Sequence, residues 1–274
     1  MKQENVLQTP RLWRLLFVLL APLPLPAHAG AWLQPEGRGY MAAQFGTLRS
    51  DAFFDDVGEK QDQQRFDKYE INLYSEYGLT PWLTVGSNLF LNRASQGDDS
   101  NIGLADSEFF ARMKLAEYEG YVLSIQPLIK LPSLHEDRDP PRAGSRSFDQ
   151  ELSLLLGGKY PIISERDYID MRVGYRNRSR HLNGQYRIDV AYGIYLSDQL
   201  AVIPAYRSVI AQQIDDNATF REDGEQDFDL HKLELGLAWQ YAPDQYALFS
   251  VYSHVAGSFT GAGEGFTLGL GWQF

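Results

Sequence analysis

The chain has no cysteine among its 274 residues. That absence excludes disulfides, thiolate metal sites and a lipid-modified N-terminal cysteine. It also lacks any apolar run near the roughly 20 residues that a helical membrane span needs. The longest, Leu15–Ala21, is short and is followed at once by Pro22, Pro24 and Pro26. Basic residues are in the minority, 25 against 36 acidic, for a net charge of −11. An acidic chain of this kind carries no electrostatic footprint for nucleic acid.

The N-terminal stretch has the build of an export signal. Lys2, Arg11 and Arg14 form a basic region, Leu15–Ala21 an apolar core, and Ala27-His28-Ala29 a small-x-small cleavage site before Gly30. We therefore expect residues 1–29 to be a signal peptide and 30–274 the mature domain. Three bases and one acid leave with the signal, so −11 becomes −13.

The other end of the chain is more informative. Phe266, Leu268, Leu270, Trp272 and Phe274 alternate with Thr267, Gly269, Gly271 and Gln273. A period of two makes a strand with one apolar face. The final Phe274 resembles the assembly signal on the closing strand of bacterial outer-membrane barrels. The same alternation recurs along the chain. Tyr69, Ile71, Leu73, Tyr77 and Leu79 oppose Lys68, Glu70, Asn72, Tyr74 and Glu76; Leu233, Leu235, Leu237, Trp239 and Tyr241 oppose Lys232, Glu234, Gly236, Ala238 and Gln240. About twelve strands are expected, near 40–50, 68–79, 83–92, 102–115, 120–131, 148–160, 168–177, 185–195, 200–210, 228–241, 245–256 and 264–274.

Alternation alone also fits a soluble sandwich. The connections favour a membrane barrel, because long or medium ones (51–65, 93–101, 132–147, 178–184, 211–227, 257–263) alternate strictly with brief ones. The expected fold is thus all-β: a transmembrane antiparallel up-and-down barrel in the bacterial outer membrane, with periplasmic termini. A one-sided set of aromatics (Tyr77, Trp82, Tyr118, Tyr121, Tyr160, Tyr168, Trp239, Tyr241, Tyr246 and Trp272) reads as an interfacial girdle. Pro127 and Pro204 fall inside strands and are expected to mark bulges or wall kinks, since proline removes a ladder donor. Such a bend offers an apolar solute a sideways exit into the membrane.

Tyr77-Gly-Leu-Thr-Pro-Trp-Leu-Thr-Val-Gly86 resembles the short-turn hairpin of the MetA-pathway-of-phenol-degradation family of outer-membrane proteins. Gly103-Leu-Ala-Asp-Ser-Glu-Phe-Phe-Ala-Arg-Met-Lys-Leu115 is similar to that family's next strand, and Gln126-Pro-Leu-Ile-Lys-Leu-Pro132 to its proline-bearing strand. Ala105 departs from the pattern, where the family more often has glycine before the acid. The resemblance implies a channel for small, often aromatic or hydrophobic, compounds. It implies no catalytic residue and no cofactor.

The inward positions carry both charge signs: Glu70, Arg112, Lys114, Glu151, Arg172, Arg176, Asp189, Arg207 and Glu234. Charges at membrane depth must be paired or wet. They therefore form either a hydrated constriction or a salt-bridge network that stiffens a closed barrel. A passive diffusion channel is the leading reading. The alternatives are a lipid or lipopolysaccharide hydrolase and a closed structural or surface-binding barrel. For the hydrolase, Ser208 should lie across from His231 or Asp229 on the outer face of adjacent strands.

Other signals carry little. Gly261-Ala-Gly-Glu-Gly265 precedes no helix, so it is no phosphate loop. Asp215, Asp216, Asn217, Glu222, Asp223, Glu225 and Asp227 read as a solvated acidic loop, with a loose divalent site bridging lipopolysaccharide phosphates as the alternative. His135 and His181 read as surface residues. The expected partners are outer-membrane lipid and lipopolysaccharide, the barrel-assembly machinery and a small-molecule solute.

Overall fold

A computed structural model describes residues 30–133, 141–180, 182–214 and 227–274. The expected signal peptide, His135, His181 and residues 215–226 of the acidic loop lie outside the described residues. The strands are β1 (Gly39–Phe54), β2 (Lys60–Thr80), β3 (Leu83–Gln96), β4 (Asp99–Leu104), β5 (Ser107–Tyr118), β6 (Tyr121–Leu131) and β7 (Asp149–Lys159). They continue as β8 (Tyr168–Arg178), β9 (Gln185–Tyr195), β10 (Leu200–Ala211), β11 (Asp229–Ala242), β12 (Gln245–Ser258), β13 (Thr260–Gly261) and β14 (Glu264–Gln273). Every pairing between strands is antiparallel, and β1 bonds both β14 and β2, so Tyr40 faces Gln273 on one side and Glu76 on the other. The sheet closes into a 12-strand barrel, with β4 and β13 as short additions at one end.

The face assignments follow strand parity. On β7, Gln150, Leu152, Leu154 and Leu156 are exposed, while Asp149, Glu151, Ser153 and Leu155 between them are buried. The same inversion recurs around the wall: Ile71, Leu73, Val173, Leu233, Leu235, Leu268 and Leu270 point out. Water does not tolerate an apolar band running around a whole molecule. A bilayer requires one, and closure leaves no strand edge unpaired in the hydrocarbon. No helix among the described residues is long and apolar enough to cross a membrane.

The start of β1 and the end of β14 lie at the same end of the barrel as the tight turns, the turn end. Glu119 and Gly120 both take positive φ, 48° and 84°, and join β5 to β6 in a two-residue hairpin with the twist that antiparallel strands prefer. The wider turn 160–167 is organised by Asp167. Its carboxylate accepts the amides of Ile162, Ile163, Ser164 and Tyr195 at 2.7–3.1 Å. Burial works to raise the Asp167 pKa, but these amides hold it below the ordinary carboxylate value.

Four expectations need correction. Residues 51–65 are not a loop: β1 and β2 extend past the barrel as a hairpin closed at 55–59. The fourth wall strand is split, with β4 pairing the upper part of β3 and β5 the lower part. Ala105 and Asp106 form the break because the Ala105 amide bonds Phe90 and Asp106 accepts the Ser145 amide of an infolded segment. No bulge marks Pro127 or Pro204. Register passes both in phase, Pro127 opposite Leu152 and Pro204 opposite Leu235. Each instead leaves a gap in the ladder on its other side, toward β5 and β9. Finally, Tyr168 and Tyr246 point into the barrel, whereas Tyr77, Trp82, Tyr118, Tyr121, Tyr160, Trp239 and Tyr241 stay on its outside.

Candidate functional site: the barrel interior

The interior divides by depth. Toward the turn end, Tyr40, Tyr168, Tyr195 and Tyr246 pack with Ala42, Ala201 and Ala238 into a buried cluster that reaches Tyr74, Phe110 and Leu128. Tyr40 and Tyr246 are each about 1% exposed. Toward the loop end the interior opens into a cavity of about 540 Å³. Its wall carries Lys68, Arg112, Arg172, Arg187, Arg207 and Lys232 against Glu70, Glu108, Asp189 and Glu234. Phe110, Leu128, Val209, Leu230 and Tyr252 lie among them.

These charges are paired. Arg112 meets Glu76 at 2.8 Å and donates from Nε to Gln126 at 2.9 Å. Glu151 holds Arg176 at 2.8 Å and Arg187 at 3.4 Å, and accepts the Ser153 hydroxyl. Arg176 also reaches Glu108 at 2.7 Å. Arg172 pairs with Asp189 at 3.3 Å, and Glu234 bridges Arg207 and Lys232 at 3.1 Å each. Lys68 and Glu70 pair at 2.7 Å. Two cations also lie over rings, Arg112 on Phe110 and Lys232 on Tyr252. The ion-pair network is thus the wall of a cavity.

Of the residues expected here, Glu70, Arg112, Arg172, Asp189, Arg207 and Glu234 line the cavity, and Glu151 and Arg176 brace it. Lys114 does not. It pairs with Glu117 at the turn end, next to the bulge between Lys114 and Ala116. Sequence reasoning omitted Glu76, Glu108, Arg187 and Lys232 from the site. Their signal was present, because all four share the inward parity of residues that were chosen.

A second omission is larger. Residues 30–34 enter the barrel at the turn end and cross its interior. The Ala31 carbonyl accepts the Ser124 hydroxyl at 2.7 Å, and the Trp32 carbonyl accepts from Arg112 at 2.9 Å. The Gln34 amide donates to the Thr84 hydroxyl at 2.9 Å, and its side chain donates to Glu76 at 2.8 Å. The Trp32 ring packs edge-on against Tyr168, with centroids 5.6 Å apart. It also lies on Gly157, where a Cβ would fall 2.8 Å from the indole. The strap thus touches β2, β3, β5, β6, β7 and β8. At the other end, residues 141–147 fold inward, with the Ala143 carbonyl accepting from Asn92 and Lys130 gathering Asp106, Asp149 and Ser147.

The hydrolase constellation is half realised. Ser208 does lie opposite His231. Its hydroxyl, however, is buried and directed at the Ile188 carbonyl, and His231 Nδ1 is 2.6 Å from the Tyr206 hydroxyl. Asp229 accepts the Ala211 amide. Among the described residues no base is hydrogen-bonded to the serine hydroxyl, so the alignment lacks the relay that acyl transfer needs. Asp227, the one described carboxylate of the acidic loop, is buried on Arg178 and Asn183.

No protein family and no curated protein matches the sequence. Solved structures do match. The COG4313 outer membrane channel from Pseudomonas putida F1 superposes with a TM-score of 0.72 at 14% identity, over 88% of this chain and 97% of that one. The NanC porin gives 0.54 at 10% identity, over 85% and 98%. The translocator domain of the autotransporter NalP from Neisseria meningitidis gives 0.52 at 12%, over 88% and 90%. The fold is that of an outer-membrane β-barrel. It is shared by channels and a translocator, so activity must be argued from the interior.

Proposed function

We propose that the protein is a passive diffusion channel of the bacterial outer membrane for small solutes, and that aromatic solutes carrying a carboxylate suit it best. The observation that carries this reading is the mixed wall of the cavity, with six cationic side chains against four carboxylates and apolar surface between them. A solute carboxylate can exchange with Asp189 or Glu234 on an arginine, because both offer the same planar acceptor. Its ring can then lie on Phe110 and Leu128. A plain hydrocarbon gains nothing from guanidinium groups, and for that cargo the sideways exit at Pro127 or Pro204 is the alternative route. A closed barrel is favoured by one observation, the packed turn end. The similarity to the Pseudomonas putida channel accords with membership of the phenol-degradation family, which we also propose.

Swelling of liposomes containing the refolded protein separates these readings. At mildly alkaline pH, 4-hydroxybenzoate should enter faster than a neutral sugar of similar size. Equal rates would contradict the solute class, and no swelling with any solute would favour the closed barrel.

In this reading the termini are periplasmic and Phe274 is read by the assembly machinery. Phe274 also locks the seam, since its amide and carbonyl both bond Gly39, at 3.0 and 2.8 Å. Deleting it should leave unfolded protein in the periplasm. Normal heat-modifiable mobility of the truncated chain would contradict this role.

A further inference from the structure

One buried carboxylate has no place in the ion-pair network. Asp170, on β8, is about 3% exposed, and among the described residues its oxygens find no hydrogen bond of good geometry, the Ala31 backbone amide being the donor that approaches them. The Tyr168 hydroxyl is likewise buried and unpartnered, and it lies within electrostatic reach of Asp170. The surrounding cations are Arg112, Arg172 and Arg207. Each is engaged elsewhere, on Glu76, Asp189 and Glu234 respectively. A buried carboxylate without a direct ion-pair partner is among the costlier features a fold can carry.

What faces Asp170 is the strap. The Ala31 backbone amide is close enough to act on its carboxylate. Gly30 is buried and is the chain neighbour of Ala31, with consecutive Cα atoms about 3.8 Å apart. In the uncut chain Gly30 presents a neutral amide. Hydrolysis of the Ala29–Gly30 bond consumes one water, leaves a carboxylate on the departing leader and frees an amine on Gly30. That amine takes up a proton at neutral pH. The resulting ammonium brings three N–H donors to a part of the interior where the Asp170 carboxylate and the Tyr168 hydroxyl are buried and poorly satisfied among the described residues.

We propose that the α-ammonium created at Gly30 by removal of the leader docks on Asp170, and that this ion pair fastens the 30–34 strap across the barrel. Maturation then does more than release the protein from the export machinery. It makes the cation that completes the interior, so the strap is fastened only in the processed chain. The proposal rests on cleavage after Ala29 and is independent of what the channel carries.

The test uses protein extracted from outer membranes. Intact mass should give a chain beginning at Gly30; a different first residue overturns both the cleavage site and the docking. Reductive methylation of the α-amine should be slower in the folded protein than in the unfolded chain by about tenfold or more, the effect of a one-unit pKa rise on the reactive free base. Equal rates overturn the docking alone. Asp170→Asn should restore fast labelling, and protection that survives the substitution would assign it to burial and reject the ion pair. If Asp170→Asn does not fold, a second variant decides. One extra alanine before Gly30 displaces the ammonium by about one residue length and should also restore fast labelling, whereas unchanged protection overturns the proposal.

Discussion

The two halves of the barrel interior obey the same parity rule and hold opposite chemistry. At the turn end the inward positions are tyrosine and alanine, packed on one another and on Trp32 of the strap. At the loop end they are arginine, lysine and carboxylates around a cavity. The outer wall does not register the difference, because Leu, Val, Ile and aromatic residues face out at both depths. Parity therefore fixes which face a residue takes, and depth fixes what that face must do. The packed half closes the barrel and holds the strap. The charged half lines the cavity, and its pairing keeps its many charges tolerable.

Each half can be broken by one substitution. Glu151→Gln leaves Arg176 and Arg187 with Glu108 as their remaining shared carboxylate, at 2.7 and 3.9 Å. The loss should approach the cost of removing one partner of a buried pair, about 3–5 kcal/mol. Tyr246→Ala empties a fully packed site in the other half and should cost a similar amount, about 3–5 kcal/mol by analogy with large aromatic truncations. Urea unfolding in lipid vesicles measures both. The halves then diverge. Adding Arg187→Gln to Glu151→Gln should recover about 1–3 kcal/mol, the coupling expected within an ion-pair network. Adding it to Tyr246→Ala should recover nothing, and recovery there would erase the distinction between the halves. The smallest effect concerns the wall: Pro204→Val can close the ladder gap toward β9 and should add about 1 kcal/mol. A more stable variant that transports a hydrophobic solute as well as the original would end the sideways-exit idea.

The wall was legible in the sequence because a two-residue period is a local property. Leu233, Leu235 and Leu237 announce their face without help from any neighbour. The strand ends at the tight turns were legible too, where proline, glycine or a short polar turn stops the alternation, whereas the far ends of β1 and β2 and the break between β4 and β5 were not. The interior was only partly legible. Arg112 and Lys114 share a parity, yet one sits 2% exposed against Glu76 and the other pairs with Glu117 at the end of the hairpin. Depth, not face, separates them, and no periodicity encodes depth. Tyr168 and Tyr246 misled for the same reason, since aromatics near a turn serve an outer girdle or an inner plug equally well. The strap escaped entirely. Residues 30–34 have no period, and their partners Glu76, Thr84, Arg112 and Ser124 are distant in sequence. The prolines misled in another way, because a missing donor leaves a gap in the ladder without forcing a shift of register.

The central claim is that the strap and the aromatic packing close one end of a barrel whose other end holds the charged cavity. Single-channel recording in planar bilayers tests it most directly, with the mature chain compared with one lacking residues 31–34. The account predicts small or rare openings for the mature chain and a large, stable conductance for the shortened one. Equal conductance in two correctly folded proteins would contradict it.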